Sequence, residues 1–123
     1  MSNELSLSVV LQHTKNPKFP YNPGTIQVDQ SGQGVFSSTI EIGTAEEDVT
    51  FPDITTPGLC ILYNLDATNY VEWGKKDVIA AMQAIGKLEP ADFPAIFRYD
   101  PGATLRMKAN TAPCKVQVTV YED

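Results

Sequence analysis

Residues 114–123 read "CKVQVTVYED", with Val116, Val118 and Val120 separated by Lys115, Gln117 and Thr119. Successive side chains of a strand point to opposite faces, so this alternation makes one apolar face and one polar face. The same period of two recurs along the chain and restricts the fold more than any other feature. In "ELSLSVVLQH", Leu5, Leu7 and Val9 alternate with Ser6 and Ser8. "TIQVDQ" places Ile26 and Val28 on one face, "VFSSTIEIG" carries Val35, Ile40 and Ile42, and "ATLRMKA" alternates at Leu105 and Met107.

Turn chemistry separates these runs. "NPKFPYNPG" holds three prolines and a closing glycine, which together predict a rigid loop. "SGQG", "DPG" and "NTAP" mark tighter turns, and "TAEEDVTFPDITTPG" is an acidic stretch broken by Pro52 and Pro57. "LCILYNL" is apolar for five residues, the pattern of a central strand buried on both faces. "NLDATN" then offers Asx and Thr side chains that bond their own backbone, which predicts a corner leading into the short strand "YVEWG".

One segment departs from period two. In "DVIAAMQAIG", Val78, Ile79, Met82 and Ile85 follow helical spacing, with Asp77 at a cap position and Gly86 at the end. The spacing predicts an amphipathic helix of about two to three turns over 77–86, with an irregular excursion as the alternative, since Ala80, Ala81 and Ala84 fit either. Altogether the pattern predicts an all-β fold. It is an antiparallel β-sandwich or jelly roll of about eight strands with at most one short helix. The 123 residues suit a single domain over 1–123.

The function classes narrow on charge. Nine Lys and Arg against fifteen Asp and Glu give a net charge of −6, which disfavours nucleic acid and anionic membranes as partners. No apolar run approaches the roughly 20 residues needed to span a bilayer as a helix. "MSNELSLSVV" alternates and has no basic n-region, so a reducing cytoplasm is the expected compartment.

Catalytic constellations are not legible. His13 is the only histidine and has no close zinc-ligand spacing with Cys60 or Cys114, so it reads as a strand-end histidine. The two cysteines lack a partner base and read as buried thiols; neighbouring strands would allow them to lie close, but the expected compartment disfavours a bridge. Asn64, Asp66, Thr68 and Asn69 supply oxygens but one carboxylate, short of a calcium site. Tyr70 and Trp73 lie three apart and so point to opposite faces of a regular strand. No cofactor and no metal are expected.

From "GLCILYNLDATNYVEWG" through "LEPADFPAIFRY" to "LRMKANTAPCKVQVTVYED", the chain resembles small virion structural proteins of tailed bacteriophages. The resemblance covers roughly residues 57–123. It departs from that pattern after Leu88-Glu89-Pro90, where Ala91-Asp92 stand in place of an expected glycine, and in the long insert at 77–86. The resemblance implies a non-enzymatic β-sandwich, assembled in the host cytoplasm into a virion. Its implied partners are other virion proteins and further copies of itself, as a homo-oligomer or ring. The residues expected to make partner contacts are Phe19, Pro20 and Tyr21 in the proline-rich loop, followed by Glu46, Glu47 and Asp48. The alternative reading is a carbohydrate- or receptor-binding module using Tyr70 and Trp73.

Overall fold

The computed structural model describes residues 5–12, 14–15, 20–28, 30 and 32–123. These fall into two compact units, Met1–Ser31 and Gly32–Asp123. In the first, β1 (Leu5–Ser8) pairs antiparallel with β2 (Thr25–Val28), bringing Leu5 opposite Val28 and Leu7 opposite Ile26. A further bridge joins Leu11 and Tyr21 through two backbone hydrogen bonds of 2.7 and 2.8 Å. Gly24 takes a φ of 81°, and its N–H donates to Asn22 Oδ1, an Asx turn that re-aims the loop into β2.

The second unit is an antiparallel β-sandwich. Its strands are β3 (Val35–Ile42), β4 (Glu47–Asp48), β5 (Pro57–Asn64), β6 (Val71–Lys76), β7 (Met82–Leu88), β8 (Ala95–Arg98), β9 (Leu105–Ala109) and β10 (Cys114–Glu122). One sheet has the order β3-β10-β5-β8 and the other β4-β9-β6-β7. All their pairings are antiparallel. The valines of β10 face the core as their alternation requires, and Val116, Val118 and Val120 are fully buried. Leu62 and Cys60 from β5, Val71 from β6, Leu88 from β7 and Leu105 and Met107 from β9 complete the core. Burying each such side chain stabilises by roughly 1.5–3 kcal/mol.

A line of aromatic rings crosses this core. Phe36 meets Phe51, Phe51 meets the edge of Tyr99 at 5.4 Å, Tyr99 neighbours Phe97, and Phe97 stacks on Trp73 at 4.9 Å. Tyr99 also ties down the turn between β8 and β9. Its hydroxyl donates to the Ala103 carbonyl at 2.9 Å and accepts the Leu105 N–H at 3.0 Å. Burial raises the Tyr99 pKa, keeping the hydroxyl protonated and able to donate.

Three expectations need correction. Residues 77–86 form no helix: 77–81 are the loop of a hairpin and Met82 opens β7, paired with Lys76. Ala80 has a φ of 62°, incompatible with a right-handed helix, and the cap chemistry of Asp77 serves the loop instead. The apolar run of β5 is buried on one face only. Gly58, Cys60, Leu62 and Asn64 are buried, whereas Leu59, Ile61 and Tyr63 are half-buried, as an antiparallel sheet with one wet face allows.

The two thiols are also not close. Cys60 stands opposite Val120, six residues along β10 from Cys114, which is about 20 Å at strand rise. A disulfide needs Cα atoms within about 7 Å.

Candidate functional site

The β6–β7 hairpin carries the most exposed apolar side chains of the second unit. Lys75-Lys76 ends β6 and Asp77 opens the loop, where its Oδ1 accepts the N–H groups of Ile79 and Ala81, each at 2.9 Å. The Ala80 carbonyl accepts from Arg106 Nη1 at 2.9 Å, which pins the loop to β9. This holds the loop so that Val78 is fully exposed and Ile79 is 79% exposed. The N–H of Ala81, then that of Ile79, lowers the Asp77 pKa by stabilising its charged form.

Farther down the hairpin the register shifts. Trp73 opposes Gly86 and Gly74 opposes Ala84, leaving Ile85 as an extra residue on β7. Such a bulge bends the strand and re-aims a side chain. Ile85 is 71% exposed as a result. Both glycines are required by close approach. A Cβ on Gly74 would strike the Gln83 backbone, and one on Gly86 would lie 2.5 Å from Trp73 Nε1.

Beside the bulge opens a pocket of about 320 Å³. Trp73, Ile85, Phe97 and Leu105 form its apolar walls, and Lys75 and Arg98 stand among its polar lining. That volume is at the small end of the range for ligand sites. Arg98 is engaged with Asp123 at 3.4 Å.

The contact residues expected from sequence fall in two places. Phe19 lies outside the described residues. Pro20 and Tyr21 are exposed in the first unit, Tyr21 with its backbone held by Leu11. Glu46, Glu47 and Asp48 belong to the second unit and are held by neighbours. Asp48 accepts from Arg106 Nε at 2.6 Å and lies 3.7 Å from Lys76 Nζ. Glu46 accepts from Arg106 Nη1 at 3.2 Å and from the Met82 N–H at 2.8 Å. Glu47 accepts the Gly43 N–H. The hydrogen bond and charge of Arg106, with Lys76 behind it, lower the Asp48 pKa. These acids sit at the β4 edge of the β4-β9-β6-β7 sheet, where Arg106 and Lys76 offset the charges of Glu46 and Asp48.

The "NLDATN" segment is a structural corner. Asn64, 3% exposed, donates from Nδ2 to the carbonyls of Asn69 and Leu88, both at 2.9 Å, and its Oδ1 accepts the Asp66 N–H. Asp66 Oδ2 accepts from Thr68 and Asn69, and these bonds, Asn69 first, lower its pKa. Among the described residues, no group of three or more His, Cys, Asp or Glu side chains gathers in metal-binding geometry. His13 lies outside them. Cys60 and Cys114 are buried and free, and desolvation pushes the Cys60 thiol up to about 12.

Tyr70 and Trp73 do not share a platform: Lys87 Nζ sits 4.4 Å from the Tyr70 ring centre, while Trp73 faces Phe97. The exposure of Val78, Ile79 and Ile85 was not expected from the sequence, where their helical spacing points to the apolar face of an amphipathic helix. The signal that marks them is "KKD", two lysines closing an aromatic strand and an Asx residue directly after it. Comparison with protein-family models, with curated proteins and with solved structures found no match.

Proposed function

We propose that this chain is a non-enzymatic structural component of a tailed-bacteriophage virion, binding neighbouring proteins through the tip and bulge of its β6–β7 hairpin. The observation that carries this reading is the exposure of Val78, Ile79 and Ile85 together on one hairpin. Single exposed apolar residues are ordinary, but several on one projecting element favour a partner surface. The backbone beneath them is fixed by Asp77 and Arg106, so little ordering entropy is lost when a partner docks. The acids 46–48 are less suited to that role, because a partner would have to displace Arg106 and Lys76. The resemblance over residues 57–123 supplies the kind of assembly.

Quantitative mass spectrometry of purified phage particles tests the reading. A fixed copy number relative to the major capsid protein, in multiples that fit a symmetry axis, is the expected result. Protein found only free in the lysate would reject it.

The pocket beside Trp73 favours a second reading, a module that binds a small ligand with an apolar face. Titration with a panel of glycans then changes the tryptophan fluorescence, and a silent Trp73 across the panel removes glycans from consideration.

A further inference from the structure

The two sheets of residues 32–123 have four edges, and three of them are blunted. β4 is two residues long, β8 is four residues long and ends on Arg98, and β7 carries the Ile85 bulge and Lys87. Short strands, bulges and exposed cations are the usual means of stopping edge-to-edge pairing. β3 has none of them. It runs eight residues, "VFSSTIEI", in unbroken register with β10, without Pro, Lys or Arg and with one charge, Glu41. No strand pairs with its outer side among the described residues.

The hydrogen-bond phase of β3 follows from one bond. The Gly34 carbonyl accepts the Glu122 N–H at 2.8 Å, so position 34 faces β10. Alternation then turns the backbone of Phe36, Ser38, Ile40 and Ile42 toward β10, and that of Val35, Ser37, Thr39 and Glu41 outward. We infer that β3 pairs antiparallel with β3 of a second copy about a two-fold axis through Ser38, joining the two β3-β10-β5-β8 sheets into one.

That register is self-complementary. It sets Ser37 opposite Thr39 and Val35 opposite Glu41, the outward-turned residues, and each such pair exchanges two backbone bonds. On the core side it sets Phe36 against Ile40, both only half-buried in the single chain. Ser38 meets its own symmetry mate, and it is exposed in the single chain. No like charges stand opposite one another. A shift of one position would place core-side residues opposite outer-face ones, so only even shifts compete. The surface belongs to a different sheet from the β6–β7 hairpin, so the two assignments fail independently.

Cysteine scanning of the full chain tests the register. Ser38 at the axis is a non-hydrogen-bonded pair with Cα atoms about 4.5 Å apart, inside the range a disulfide spans. Ser38→Cys is expected to give a disulfide-linked dimer on a non-reducing gel under mild oxidation, and Ser37→Cys is not. The native cysteines are buried and do not compete. Light scattering should give twice the chain mass for the unsubstituted protein. Thr39→Pro should give a monomer, since it removes an outward N–H and leaves the β10 ladder intact. Linkage through Thr39→Cys in place of Ser38→Cys would overturn the register. A monomeric unsubstituted protein, or a dimer that survives Thr39→Pro, would overturn the pairing.

Discussion

The indole of Trp73 lies 4.9 Å from the ring of Phe97 at an interplanar angle of 9°, in space left by the missing side chain of Gly86. Trp73 belongs to one sheet and Phe97 to the other, so this stack fixes how the two sheets meet at the pocket end. Gly86→Ala puts a methyl group 2.5 Å from Trp73 Nε1, so the indole must shift in its stack on Phe97 to admit it. The expected cost is about 1–3 kcal/mol. Urea unfolding measures it, and near-ultraviolet circular dichroism should report the displaced indole.

Asn64 binds three backbone groups at once, the carbonyls of Asn69 and Leu88 and the N–H of Asp66. Asn64→Ala strands these groups, at a site where little water reaches. A loss of about 2–4 kcal/mol is expected. Hydrogen exchange should accelerate first at Asp66 and in the corner that follows.

Ala91 has a φ of 53° in the turn where glycine was expected. A left-handed alanine is disfavoured by about 1 kcal/mol, partly offset by its lower entropy in the unfolded chain. Ala91→Gly should therefore raise stability by about 0.5–1 kcal/mol, visible as a higher urea midpoint. An unchanged midpoint would mean that the turn carries no strain.

Acid stability rests on carboxylates bound to backbone N–H groups. Thr55, then Gly34, lowers the Glu122 pKa, and Asn69, then Thr68, lowers that of Asp66. A folded pKa below the unfolded one contributes stability that is present above the unfolded value, near 4, and is lost as pH falls through the folded value. Unfolding midpoints should fall below about pH 4. In an Asp66→Ala, Glu122→Gln double variant, stability near neutral pH should be lower and the acid slope shallower.

Val78→Ser with Ile79→Ser removes apolar surface that touches solvent in the free chain. Stability should change by no more than about 0.5 kcal/mol, while incorporation into particles drops. Equal incorporation of this folded variant would separate the hairpin from assembly.

How much of this was legible in the sequence varies from strand to strand. β10 could be read residue by residue because Val116, Val118 and Val120 share its inner face and alternate with Lys115, Gln117 and Thr119 on the outer one. The Asn64–Asn69 corner could be read because Asx side chains act on backbone within a few positions. The hairpin could not. Val78, Ile79, Met82 and Ile85 have helical spacing by coincidence, and the pairing of Met82–Leu88 with β6 overrode it. Asp77 is equally suited to a helix cap and to this loop, so it gave no warning. The partners of Glu46 and Asp48 were hidden for another reason: Arg106 lies about 60 residues away, and only the β4–β9 pairing brings it alongside.

The position of β10 has a consequence for biogenesis. It lies between β3 and β5, yet it is translated after the other nine described strands. Contacts such as that between Ser37 and Thr119 span 82 positions of chain. Until residue 114 leaves the ribosome, the apolar sides of β3 and β5 have no strand between them, and the nascent chain carries an open seam. Long-range closure of this kind is slow and exposed to aggregation. Chains arrested before residue 114 should therefore depend on chaperones, whereas chains that include β10 close the seam themselves.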